Sequence, residues 1–135
     1  MSLAIVYTRA ALGIEAPLIT IEVHLSSGLP GLTMVGLPET TVKEARDRVR
    51  SALINSGYAF PAKKITINLA PADLPKEGGR YDLPIALALL VASEQLNTTR
   101  LNQYEFVGEL ALTGGLRGVP GAIPSAMEAI KAGRR

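Results

Sequence analysis

The chain has no cysteine, no tryptophan and a single histidine among its 135 residues. Without cysteine there are no disulfides, no thiol nucleophile and no cysteine-ligated zinc, a pattern that fits a reducing, cytoplasmic setting. The lone His24 lies in Ile21-Glu-Val-His-Leu25, an alternating pattern that reads as a strand-face residue, not as a metal ligand. No G-x-S-x-G accompanies it, so a histidine-based serine triad has no support. Aromatic residues are only 4% of the chain, which makes the core aliphatic and speaks against a platform of stacked aromatics for single strands. No run approaches the roughly 18 apolar residues of a membrane span. The amino terminus lacks the basic-then-apolar layout of a signal peptide.

Strong charge of one sign is also missing. Fourteen basic against twelve acidic residues leave a net charge of +2, which permits contact with nucleic acid without arguing for it. There is no Gly-Lys pair, so no P-loop, and the glycine-rich stretch from Gly114 to Gly121 fits neither that motif nor G-x-G-x-x-G.

What the chain does have is 47% hydrophobic residues in clear periods, enough for one domain over residues 1–135. Strands are expected at Leu3 to Tyr7, Leu18 to Leu25 and Leu32 to Val35, and their short connections predict an antiparallel meander. A helix is expected from Thr41 to Ser56, with Thr41 and Glu44 as a capping box and Gly57 as its stop. Lys63 to Leu69 reads as a fourth strand. Leu83 to Leu96 is apolar almost all round and must be a buried helix, with Pro84 in its first turn and Asp82 as a cap or a charge at its positive end. One or two strands within Tyr104 to Leu112 and a closing helix from Ile123 to Lys131 follow. The order β-β-β-α-β-α-β-β-α makes the fold class α/β (α+β), a mixed sheet with helices packed on one face.

Between the fourth strand and the apolar helix lies Pro71 to Pro84, a polar loop of the kind on which scaffolds display function. Its three carboxylates, Asp73, Glu77 and Asp82, could form a weak metal cluster, and no ligand spacing supports it. The helix from Thr41 carries Lys43, Arg46, Arg48 and Arg50 against Glu44 and Asp47. That is either a solvated face with local ion pairs or a basic stripe for phosphates.

Several long motifs occur in order: Gly28-Leu-Pro-Gly-Leu-Thr-Met-Val-Gly-Leu-Pro-Glu-Thr40, Val42-Lys-Glu-Ala-Arg-Asp-Arg-Val-Arg-Ser-Ala-Leu53 and Ile67-Asn-Leu-Ala-Pro-Ala-Asp-Leu-Pro-Lys-Glu-Gly78. Tyr81-Asp-Leu-Pro-Ile-Ala-Leu-Ala88 and Phe106-Val-Gly-Glu-Leu-Ala-Leu-Thr-Gly-Gly-Leu-Arg117 complete them. Over essentially its whole length the chain resembles the amino-terminal domain of the competence protein ComM / YifB family, relatives of the magnesium-chelatase AAA+ ATPases. The resemblance implies a Lon-protease-like domain of the ribosomal-protein-domain-2-like superfamily. It further implies an AAA+ motor downstream of Arg135 that uses ATP and Mg2+, with no cofactor in this domain. For the full-length protein the resemblance implies a hexameric ring, an ATP-driven DNA branch-migration helicase of natural transformation.

The Lon likeness places a serine nucleophile two residues after the glycine of Pro75-Lys76-Glu77-Gly78, where this chain has Arg80, and no serine or threonine lies between Leu69 and Ala92. The corresponding lysine position is Ile123, and the only lysine after Lys76 is Lys131. Both halves of the dyad are absent, so the domain is expected to be non-catalytic. Lys43, Arg46, Arg50, Lys63, Lys64, Lys76, Arg80 and Arg117 are the expected contacts to single-stranded or branched DNA or to a partner subunit, Arg80 by pairing with Asp82 or Glu77 or by reaching a phosphate. The related Lon-like domain of the DNA-repair protein RadA binds DNA and assembles rings, which favours the second role by analogy. The alternatives are a pure oligomerisation or regulatory module, or a residual peptidase or hydrolase using Asp73, Glu77 and Asp82.

Overall fold

The structure, a computed structural model, describes residues 3–12, 15–71, 79–96, 100–119 and 122–135. Strand β1 (Leu3–Arg9) pairs antiparallel with β2 (Leu18–Ser26), and β2 pairs antiparallel with β4 (Lys64–Ala70). Strand β3 (Gly31–Val35) lies parallel to β4 on its far side, so the sheet order is β1-β2-β4-β3.

The expected meander is therefore wrong at its third member. The connection from β3 to β4 is the helix α1 (Glu39–Asn55), and a strand-helix-strand crossover delivers its second strand parallel to the first. β4 inserts between β2 and β3, and β3 becomes the edge.

The alternation in the strands sorts their two faces. Val6, Ile21, Val23, Ile65, Ile67 and Leu69 are buried, while Ile5, His24 and Val35 on the opposite face are exposed. The buried face is covered by α2 (Asp82–Ala92), whose Ile85, Ala88 and Leu89 join the same core. Each Val, Ile or Leu among them contributes roughly 1.5–3 kcal/mol on burial. α1 packs beside α2 through Ala45, Val49, Ala52 and Leu53, the residues at helical spacing. The fold is thus a mixed α+β sheet with its helices on one face.

Two helix ends differ from expectation. α1 starts at Glu39, with Pro38 as its cap residue and no side-chain capping bond; the amide of Val42 donates to the carbonyl of Pro38 at 3.0 Å. The rigid φ of Pro38 begins the helix two residues before Thr41, so the capping box does not form. Gly57, at φ +88°, ends the helix as the sequence indicates. α2 stops at Ala92, short of Leu96, because the hydroxyl of Ser93 donates to the carbonyl of Leu89 at 2.7 Å and Glu94 takes φ +62°. The side chain of Gln95 then holds both the amide and the carbonyl of Ala59 at 2.8 Å, fixing the segment that follows α1.

After a 3-10 turn at Leu101–Gln103, Glu105 bridges to Tyr7 of β1, and the strands β5 (Glu109–Leu110) and β6 (Leu116–Arg117) form a small hairpin. Of the one or two strands expected within Tyr104 to Leu112, the structure has a bridge at Glu105 and the two-residue β5. α3 (Ala122–Lys131) closes the chain. Its return crosses β1: the guanidinium of Arg9 donates to Glu105 at 2.7 and 3.0 Å, and Arg134 donates to the same carboxylate at 3.1 Å. Arg134 also stacks 4.0 Å over the Tyr7 ring. None of the described helices is long and apolar enough to cross a membrane.

Candidate nucleic-acid interface

The eight cations expected at a contact surface do not share one place. Arg46, Arg50 and Lys63 converge on one groove. Its volume is about 530 Å³, and its walls are the start of β3, the outer side of α1 and the segment leading into β4. The helix places Lys43, Arg46 and Arg50 at successive spacings of three and four, which is one side of α1. The side opposite is apolar, so these three must point outward; Lys43 and Arg50 are exposed and Arg46 is half-buried. Lys63 and Lys64 reach the same neighbourhood because β4 begins beside Gly31, with Gly31 paired to Lys64.

Few contacts neutralise these charges. Arg46 faces Asp47 at 3.7 Å, an exposed pair worth little. The guanidinium of Arg50 lies 5.6 Å from the centroid of the Phe60 ring. Beneath them the floor is apolar, made of Leu32, Ile54, Phe60, Pro61 and Ile65. The floor was not legible as part of a site: Phe60 and Pro61 follow the α1 stop in a featureless segment, and only the fold carries them to β3.

Arg117 is exposed on β6 and does not line this groove. Lys76, with Asp73 and Glu77, falls outside the described residues.

Arg80 corrects the expectation most sharply. It is only 5% exposed, so it is not a surface cation. Its Nε donates to the carbonyl of Arg9 at 3.0 Å and its Nη2 to the hydroxyl of Ser125 at 3.3 Å. Burial pushes its pKa down, yet a guanidinium starts so high that it stays protonated. Arg80 thus ties the start of α2 to the end of β1 and to α3. It also puts a serine beside a group that cannot serve as a base.

Asp82 is not Arg80's partner and not a cap. It is fully buried, and it receives Arg48 Nε at 2.7 Å, Arg48 Nη2 at 3.3 Å and the amide of Leu110 at 3.1 Å. Arg48, read from the sequence as part of a solvated face, is therefore structural. Burial pushes the Asp82 carboxyl up, and the bonds from Arg48 and Leu110 pull against that. The same Arg48 bond raises the guanidinium. The two shifts favour opposite protonation states of the carboxyl; the bidentate geometry is that of a carboxylate, so the pair is ionised. Next to these residues Tyr81 is buried, and its phenol is pushed up to about 12. Among the described residues, no three carboxylate or histidine side chains gather where they could hold a metal.

Comparison with known proteins agrees with the motifs. Residues 21–135 match the family described as subunit ChlI of Mg-chelatase. The whole chain is 82% identical over 135 residues to YifB of Escherichia coli (strain K12), covering 27% of that protein. It is 68% identical over 134 residues to competence protein ComM of Haemophilus influenzae, covering 99% of this chain and 26% of that protein. A mycobacterial relative, Rv2897c of Mycobacterium tuberculosis, is 39% identical over 133 residues, 98% of this chain and 26% of that protein. The chain spans about a quarter of the length of these relatives. It belongs to the Mg-chelatase subunit ChlI family, in the ComM/YifB group.

Proposed function

We propose that this chain is a non-catalytic domain that lends DNA contact and subunit assembly to a larger, ATP-driven branch-migration motor, whose ATP and Mg2+ are bound outside the residues described. The observation that carries the DNA contact is the convergence of Arg46, Arg50 and Lys63 on one open groove, with Lys43 and Lys64 beside it. Phosphate neutralisation by such a set supplies affinity without sequence preference. The name of the Haemophilus relative, a competence protein, supports a setting in natural transformation, and the cytoplasm, where chromosomal DNA lies, is the proposed location. The non-catalytic reading draws on Arg80 and Ser125: the hydroxyl of Ser125 accepts from a permanently protonated guanidinium, which cannot act as its base.

A salt titration of binding to a fluorescent branched DNA tests this. The wild-type chain is compared with the triple variant Arg46→Gln, Arg50→Gln, Lys63→Gln. The expected outcome is a steep fall of affinity with salt for the wild type and a shallower one for the variant. Salt-independent binding, or none at low salt, overturns the reading.

A second role, subunit contact without DNA, is favoured by one feature. Leu112 and Leu116 on the β5–β6 hairpin are 56% and 64% exposed. Loss of ring formation in a Leu112→Ser, Leu116→Ser variant, with DNA affinity intact, would assign assembly to that hairpin.

A further inference from the structure

Cations alone would explain contact with a phosphate ridge. They do not explain the floor of this groove. Leu32, Ile54, Phe60 and Ile65 meet beneath Arg46, Arg50 and Lys63, and Ile54 is 49% exposed. A duplex shows a protein its phosphates and the edges of its bases; the apolar faces of its bases are stacked inside. Short of a sugar or a thymine methyl, an intact duplex offers this floor no broad apolar surface.

An unpaired strand can. From the geometry we infer that the groove takes an unstacked base of single-stranded DNA, with the flanking phosphates on Arg46, Arg50 and Lys63. The inference rests on the DNA-contact reading above. Base–aromatic stacking within a positively charged channel is the usual way a protein holds a single strand without reading sequence. The groove's volume of about 530 Å³ leaves room for about one nucleotide. Phe60 lies in the floor and Arg50 above it, 5.6 Å from the ring centroid. Arg50 is exposed beside Phe60, and its guanidinium plane can stack on a base in the same way that it packs on the ring. Asp47, on the rim beside Arg46, repels phosphate but can accept a hydrogen bond from an exocyclic amine. The scarcity of aromatics argues against a platform of several rings; a single ring paired with an arginine needs only one.

The rival occupant is an extended acidic peptide. Among the described residues, no strand pairs with the outer edge of β3, which adjoins the groove. Such an edge accepts an added strand.

The test uses fluorescence anisotropy with the 135-residue chain. The probes are a labelled single-stranded oligonucleotide, the same strand annealed to its complement, and a poly-glutamate peptide of equal charge. Phe60→Leu keeps an apolar side chain against the core, and Ile54→Ala trims an exposed one; thermal unfolding confirms that each folds. The single strand is expected to bind about tenfold more tightly than the duplex. Phe60→Leu should weaken single-strand binding about tenfold and leave duplex binding unchanged, Ile54→Ala should act in the same direction, and Arg50→Gln should weaken both. Equal binding of strand and duplex, with both apolar variants behaving as wild type, overturns the base site and leaves the phosphate contact standing. Poly-glutamate binding as tight as the single strand, and lost in the same variants, also overturns it in favour of the peptide. Binding of neither nucleic acid at low salt removes the DNA-contact reading itself.

Discussion

Arg48 Nε and Asp82 Oδ2 lie 2.7 Å apart, joining the middle of α1 to the first residue of α2. The same carboxylate receives the amide of Leu110 at 3.1 Å. One side chain thus binds both helices and the β5–β6 hairpin.

Removing Arg48 leaves Asp82 without its counterion, whereas removing Asp82 leaves Arg48 with Glu44 at 3.9 Å. Arg48→Met strands a fully buried carboxylate and is expected to cost about 3–5 kcal/mol. Asp82→Ala leaves an arginine that still reaches solvent but orphans the Leu110 amide, so it should cost somewhat less. Urea titrations of both single variants and the double variant check this. Additive losses in that cycle would mean that the pair is not coupled.

Glu105 anchors the end of the chain to β1 by accepting from both Arg9 and Arg134. Its side chain is 6% exposed, so Glu105→Gln leaves two partly buried guanidinium groups without an anion. A loss of about 3 kcal/mol is expected, with faster hydrogen exchange at residues 132–135. Unchanged exchange there would show that the network does not hold the terminus.

Tyr81 predicts a specific alkaline weakness. Its folded phenol titrates at about 12 against an ordinary 10.0, because burial disfavours the phenolate. The unfolded chain therefore loses this proton first. Stability is unaffected below about pH 10 and falls as pH rises through the window to about 12, by about 2–3 kcal/mol in total. Tyr81→Phe should flatten denaturation midpoints across that window. An equal decline in the variant would assign the effect to other groups.

Gly36 is expected to tolerate nothing larger. It sits at φ +99°, and a Cβ there would stand 2.2 Å from the carbonyl oxygen of Leu69. Gly36→Ala must shift β4 backbone at the centre of the sheet, and a loss above about 2 kcal/mol in thermal unfolding is the expected outcome.

In the groove, each of Arg46→Gln, Arg50→Gln and Lys63→Gln should lower the slope of log affinity against log salt by about one. Lys64→Gln, adjacent but outside the groove wall, should lower it less. Arg80→Lys should leave the slope unchanged while reducing stability, since Arg80 is an internal residue. A slope that moves with Arg80 but not with Arg50 would reverse the assignment.

Much of the fold is written locally. The two-residue period of Leu18 to Leu25 and the 3.6-residue period of Val42, Ala45, Val49 and Leu53 assign their elements because one face must leave water. Gly57 ends α1 because it accepts a positive φ. The motifs from Gly28 to Arg117 identify the family.

The order of the sheet is not local. Whether β3 pairs with β2 or lies beyond β4 depends on where α1 returns the chain, and that follows from packing α1 and α2 on one face. Nor does a charged residue announce its surroundings. Arg48 and Arg50 differ by two positions on one helix and read alike, yet about 200° of rotation sends one to a buried carboxylate and the other to an open groove. Arg80 stands in a polar loop between two apolar elements, where sequence places a surface cation. Only the tertiary structure brings the carbonyl of Arg9 and the hydroxyl of Ser125, from distant parts of the chain, to its guanidinium. Residue type and period determine which side chains leave water; long-range contacts decide which charges find partners, because a buried charge is tolerated only where distant parts of the chain bring its counterpart to it.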